Sequence, residues 1–148
     1  MVSLTQSTKS VKEKEIKRNW HLIDVKGKIL GRIVPEIAKL LQGKQKLNYV
    51  TYLDQGDNVV VTNARYVKLT GKKAQTKFYT RYSGYPGGLK RISFAELLIK
   101  NPAEVIRHAV SGMLPKNKLR DKRLTRLHVY PEDKYPYQDK LSAQKSEE

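Results

Sequence analysis

Three consecutive β-branched residues, Val59-Val60-Val61, set the tightest limit on how this chain can fold. Successive strand residues point to opposite faces, so an unbroken apolar run needs cover on both sides. The central strand of a parallel sheet meets that need. The preceding sequence supplies the partners. Residues 20–25 read as a strand carrying Trp20, Leu22, Ile23 and Val25, with Gly27 in the turn beyond. Residues 32–42 read as a helix in which Ile33, Ile37, Leu40 and Leu41 share one face. Pro35 is placed in its first turn, where a missing N–H costs little, and Gly43 just past its end. Asp54 and Asp57 flank Gly56 and read as turn formers rather than as an acid/base pair.

The second half continues the alternation. Residues 77–82 suit another strand, with Phe78 rather than Tyr79 turned inward. Ser93 and Glu96 form a capping box at a helix start. That helix should end near Asn101, where Asn101 and Pro102 open a second one. Val105, Ile106, Ala109, Val110 and Met113 form its apolar face, and Gly112 and Pro115 limit its end. Residues 116–126 are basic and partly helical by this reading, and residues 127–130 suit a short strand. Strand–helix alternation followed by helices predicts an α/β layered domain. Residues 1–19 are expected to be a flexible basic extension that orders on binding, residues 20–131 the folded α/β domain, and residues 132–148 a polar tail.

Charge points to the partner. Between Asp57 and Glu96 there is no carboxylate, while Arg65, Lys68, Lys72, Lys73, Lys77, Arg81, Lys90 and Arg91 are all positive. Phe78, Tyr79, Tyr82 and Tyr85 interleave with them, and the run from Ser83 to Gly88 is rich in glycine. Cations neutralise phosphates, rings stack on unpaired bases, and glycines allow close backbone approach. A second cluster comprises Lys116, Lys118, Arg120, Lys122, Arg123 and Arg126, and a third Arg32, Lys39, Lys44 and Lys46. The whole chain of 148 residues carries +16, beyond the about 2–8 units that solubility requires. A charge-driven binder of DNA or of a membrane surface shares this composition.

Catalytic and metal chemistry find little support. There are no cysteines, which excludes disulfides and thiolate zinc sites. Gly71-Lys72 lacks the earlier glycine and the following Ser or Thr of a phosphate-binding loop. His21, His108 and His128 show no ligand spacing. No apolar run approaches the roughly 18 residues of a membrane helix. Neither an enzyme, a cofactor, a small-molecule substrate nor a membrane partner is expected.

Five segments carry a family resemblance. They are Trp20-His21-Leu22-Ile23-Asp24, Leu30-Gly31-Arg32, Leu69-Thr70-Gly71-Lys72-Lys73, Ser83-Gly84-Tyr85-Pro86-Gly87-Gly88-Leu89-Lys90, and Gly112-Met113-Leu114-Pro115-Lys116-Asn117-Lys118-Leu119. In this order the chain resembles the bacterial-type L-thirteen proteins of the large ribosomal subunit, over residues 19–131. The resemblance implies a three-layer α/β/α core around a small parallel sheet, and binding to large-subunit ribosomal RNA with a part in assembly. It also implies neighbouring large-subunit proteins as partners and a place in the cytoplasmic rather than an organellar ribosome. By the family pattern, residues 81–90 and 116–123 lie against RNA. Charge and resemblance together nominate Arg32, Lys44, Lys46, Lys72, Lys73, Lys77, Arg81, Tyr82, Tyr85, Lys90, Arg91, Lys116, Asn117, Lys118, Arg120, Lys122 and Arg123.

Overall fold

The valine run is the middle strand of a three-stranded parallel sheet. In a computed structural model that describes residues 11–145, with side chains as far as residue 142, β1 (Trp20–Asp24), β2 (Asn58–Thr62) and β5 (Leu127–Val129) lie in the order β1-β2-β5. The register aligns His21 with Val59 and Leu127, and Leu22 with Val60 and His128. Val59, Val60 and Val61 are all fully buried. Val59 and Val61 join the main core, while Val60 faces the other way.

Helices cover the first face. The connection from β1 to β2 runs through α1 (Leu30–Gln42), which buries Ile33, Val34, Ile37, Ala38 and Leu41. Its partner, α4 (Pro102–Met113), buries Val105, Ile106 and Val110 in the same cluster. Fully burying each such aliphatic side chain contributes about 1.5–3 kcal/mol. Helix α1 begins at Leu30, two residues before the expected start, so Pro35 lies in its interior rather than its first turn. Gly31, whose carbonyl Pro35 cannot meet, is exposed, as is Pro35, so water can satisfy that oxygen. Gly43 ends the helix in the left-handed conformation at φ 78°, and its N–H donates to the Leu40 and Lys39 carbonyls.

The second face is covered by the end of the chain. Tyr137 packs 4.9 Å from the Trp20 ring and 4.6 Å from the His128 ring. A helix, α6 (Gln138–Lys145), follows, with Lys140 Nζ 5.0 Å above Trp20. The segment expected as a polar tail thus supplies the third layer, because Trp20 and His128 offer it an apolar, ring-lined surface. The part of the expected N-terminal extension in residues 1–10 lies outside the described residues.

Between β2 and the helical pair, the chain makes a short helix, α2 (Lys73–Thr76), and an antiparallel hairpin of β3 (Phe78–Tyr82) and β4 (Leu89–Ser93). Helix α3 (Phe94–Lys100) starts at the predicted capping box. The Ser93 Oγ accepts from the Glu96 N–H at 3.3 Å, and the Ser93 N–H donates to Glu96 Oε2 at 3.2 Å. Asn101 is the N-cap of α4 by position, but its side chain makes no capping bond. Met113, placed on the α4 core face, is 48% exposed, because the helix has run past the core and Leu114 fills the position at 2%. Helix α5 (Leu119–Thr125) leads into β5. Among the described residues, no helix is long and apolar enough to cross a membrane.

Candidate nucleic-acid interface

The hairpin carries exposed cations, Arg81, Lys90 and Arg91, and no carboxylate. Arg81 and Lys90 sit directly opposite each other across β3 and β4, and both are exposed. Like charges in that position are destabilising by roughly 0.2–1 kcal/mol. Neither has an ion-pair partner among the described residues. Tyr82 faces Leu89, and Thr80 faces Arg91, on the alternate face. Tyr82 and Phe78 are more than half exposed, Leu89 is 49% exposed, and Tyr85 is 75% exposed. Phe78 therefore points outward, against expectation. Tyr79 takes the inward position, pairing with Ile92 and lying 5.6 Å from the His108 ring of α4. Burial pushes the Tyr79 phenol pKa up.

The strands are joined by residues 83–88. The Ser83 N–H donates to the Gly88 carbonyl at 3.2 Å, and the Gly88 N–H to the Tyr85 carbonyl at 2.9 Å. Gly84 and Gly87 hold φ of 88° and 74°, which a side chain would strain. The result is a loop with a projecting tyrosine and little bulk around it. Lys72 and Lys73, at the start of α2, are exposed, and Lys77 lies with its ammonium 5.3 Å from the Tyr79 ring.

The second cluster is divided by the fold. Lys116, Lys118 and Lys122 are exposed, and Arg120 is partly exposed, 3.8 Å from Asp121. Asn117 Oδ1 accepts the Leu119 N–H at 3.1 Å, which leaves its amide group outward. Arg123, nominated for RNA, is instead 1% exposed and points inward, with Nε 3.5 Å from Asp54. The same carboxylate accepts two bonds from Arg126, at 2.6 and 2.5 Å. Burial, the largest influence on Asp54, pushes its pKa up. Hydrogen bonding to Arg126 and the charges of Arg126, Arg123 and Arg18 outweigh it, so the net direction is down.

The third cluster divides likewise. Arg32 and Lys44 are exposed. Lys46 is not available, because its ammonium donates to the Gln55 carbonyl at 2.8 Å and the Lys17 carbonyl at 2.6 Å and meets Asp57 Oδ1 at 2.5 Å. Asp57, 1% exposed, also accepts from the Asn19 N–H, from Gln45 Nε2 at 2.6 Å, and pairs with His21 Nε2 at 3.1 Å. Burial raises its pKa, but the bonds from His21, Lys46 and Asn19 bring the net below the ordinary value. Asp54 and Asp57 are thus inward-facing anchors rather than turn formers. Their partners lie 11 to 72 residues away in sequence, from Lys46 below Asp57 to Arg126 above Asp54, beyond the reach of any local spacing rule. Among the described residues, no group of three or more His, Asp or Glu could hold a metal ion.

The arrangement can bind an extended anion on an exposed, one-signed, ring-bearing surface. Comparison with known proteins identifies relatives over most of the chain. A family model described as Ribosomal protein L13 matches residues 18–136. A relative from Syntrophotalea carbinolica, named Large ribosomal subunit protein uL13, is 49% identical over 131 residues, 88% of this chain and 92% of the relative. Proteins of the same name from Clostridioides difficile and Petrotoga mobilis are 51% and 48% identical. They cover 80% and 91% of this chain, and 83% and 89% of their own lengths. As the five sequence segments indicated, the chain belongs to the ribosomal protein L13 family.

Proposed function

We propose that the chain is a structural, non-catalytic component of the large ribosomal subunit that binds large-subunit ribosomal RNA and supports its assembly, beside other large-subunit proteins in the cytoplasmic ribosome. The names of its relatives support the subunit. The observation that carries RNA binding is the facing pair of Arg81 and Lys90 on an exposed hairpin. Two cations held opposite each other without an anion form a poor free surface and a good phosphate site. Arg81 can grip a phosphate through two parallel bonds, and Lys90 adds a point charge. Tyr82 and Tyr85 offer faces for unpaired bases. The proposed footprint comprises Arg32, Lys44, Lys72, Lys73, Lys77, Arg81, Tyr82, Tyr85, Lys90, Arg91, Lys116, Asn117, Lys118, Arg120 and Lys122. Lys46 and Arg123 drop out because their charges are neutralised inside the fold.

Such a clamp holds RNA helices together by neutralising phosphates that would otherwise repel. A filter-binding titration of a large-subunit ribosomal RNA transcript at several salt concentrations tests it. Neutralising about six phosphates gives a log–log slope on the order of −4 to −5. A flat salt response would sink the reading.

A further inference from the structure

A second candidate surface lies on the loop between α1 and β2. Leu47 is fully exposed and Tyr52 is 66% exposed. Single exposed apolar residues are ordinary on protein surfaces. These two differ because the loop that carries them is clamped at its base. Asp57 is saturated by Lys46, His21, Gln45 and the Asn19 N–H. Asp54 takes the Arg126 guanidinium through two bonds. Gly43 and Gly56 let backbone pass against backbone. A Cβ at Gly43 would come within 2.7 Å of the Gln55 carbonyl oxygen, and one at Gly56 would overlap the Leu41 carbonyl.

The clamp also gathers positive charge. Lys46 Nζ donates to the Lys17 carbonyl at 2.6 Å, and Arg18 Nη2 to the Asp54 carbonyl at 3.4 Å, so Lys17 and Arg18 lie along the loop. Lys44 is exposed on the loop itself. Both carboxylates of the loop are neutralised inside it, and the charge left outward is positive.

The two basic–aromatic surfaces occupy different parts of the fold. The clamped loop sits where the parallel strands begin: the Asn58 N–H donates to the Asn19 carbonyl, and the Val59 N–H to the Arg126 carbonyl. The β3–β4 hairpin follows from the chain leaving the far end of β2 and rests through Tyr79 on α4. We propose that the clamped loop, with Lys17 and Arg18, is a second polynucleotide-binding platform that contacts an RNA segment different from the one on the hairpin. Lys17, Arg18 and Lys44 meet phosphates, Tyr52 stacks on an unpaired base, and Leu47 packs against a base face or wedges between bases. The clamp fixes the loop in advance, which lowers the ordering cost of binding. This inference rests on the RNA reading above.

The test is hydroxyl-radical footprinting and affinity measurement of the full chain on a large-subunit ribosomal RNA transcript. One variant carries Leu47→Ala and Tyr52→Ala, a second carries Lys44→Ala alone, and a third carries Arg81→Ala and Tyr82→Ala. All replaced side chains are exposed, and melting curves check that each variant folds. The loop double variant should bind about 5- to 100-fold more weakly, from one lost stacking contact, and should lose one protected segment while keeping the hairpin's. Lys44→Ala should weaken protection of the same segment, and the hairpin variant should show the reverse pattern. Wild-type affinity and protection in both loop variants, with loss only in the hairpin variant, would overturn the second platform and leave RNA binding intact. Loss of the same nucleotides in loop and hairpin variants would overturn it too. Normal binding to naked RNA with lost co-sedimentation on the large subunit would overturn it by assigning the loop to a protein neighbour. Unchanged protection in all three variants would sink the RNA reading itself.

Discussion

Lys90 and Lys46 are both lysines in basic stretches of a strongly basic chain, yet the fold uses them in opposite ways. Lys90 stands exposed opposite Arg81, with no anion in reach among the described residues. Lys46 has its ammonium placed against one buried carboxylate and two backbone carbonyls. Around the hairpin the fold tolerates repulsion that a partner must relieve. Around Asp54 and Asp57 it neutralises charge internally. Lys46 is therefore assigned to the fold and Lys90 to the partner, by whether a buried carboxylate lies beneath the ammonium. Among the described residues only five with polar or charged side chains are buried, and Asp57 and Arg123 are two of them.

The contrast can be broken most forcefully at Asp54. Asp54→Ala leaves Arg123 buried without a counter-charge, and breaking a buried pair in this way costs about 3–5 kcal/mol. Urea denaturation should show a loss of that order. A loss below about 1 kcal/mol would place Asp54 among the ordinary surface ion pairs.

Acid should act on the same anchors. Asp54 and Asp57 have folded pKa values below the ordinary 3.8. Their stabilising contribution is therefore fully present above that value and is lost as pH falls through the lower folded values. Stability measured by denaturation from pH 6 downward should hold until about pH 4–5 and then fall. In Asp57→Asn the fall should be shallower. An identical acid profile in the variant would show that Asp57 is not one of the groups responsible.

At the hairpin, stability and binding should separate. Arg81→Ala removes an exposed side chain without an ion-pair partner among the described residues, so the free protein should keep its stability within about 0.5 kcal/mol. Affinity for the ribosomal RNA transcript should fall about tenfold or more, from the loss of charged hydrogen bonds worth roughly 1.5–3 kcal/mol. Collapse of the free fold in this variant would return Arg81 to the structural group.

Much of the layered core was legible because it obeys local periodicity. The valine run, the α1 face, the Ser93–Glu96 capping box and the α5–β5 segment all follow rules that span a few residues. The failures share a different cause. In the Phe78-Tyr79 pair both phases of the strand put an aromatic ring inward. The tie is decided by Ile92 on the neighbouring strand and His108 on α4. Strand β4 escaped notice because Leu89-Lys90-Arg91-Ile92-Ser93 has little β-branched character. Arg123 and Lys46 looked like members of surface clusters, and only carboxylates distant in the chain or brought close by the loop turn them inward. The packing of the tail was not legible, because it depends on Tyr137 meeting Trp20, far away in sequence. Of the two candidate RNA surfaces, the hairpin was legible from charge and rings alone, whereas Leu47 and Tyr52 on the second became visible only through their exposure on a fixed loop.

The most direct test makes the charge reversal Arg81→Glu and measures melting and RNA binding on the same preparation. The introduced carboxylate would face Lys90 as an opposite charge, so the account predicts a free protein that is as stable as the parent or more stable by about 0.2–1 kcal/mol. The same variant should lose affinity for large-subunit ribosomal RNA by more than about tenfold at constant salt, since a phosphate contact becomes a repulsion. A lower melting temperature together with undiminished RNA binding would contradict the account, because the hairpin charge would then serve the fold and not the partner.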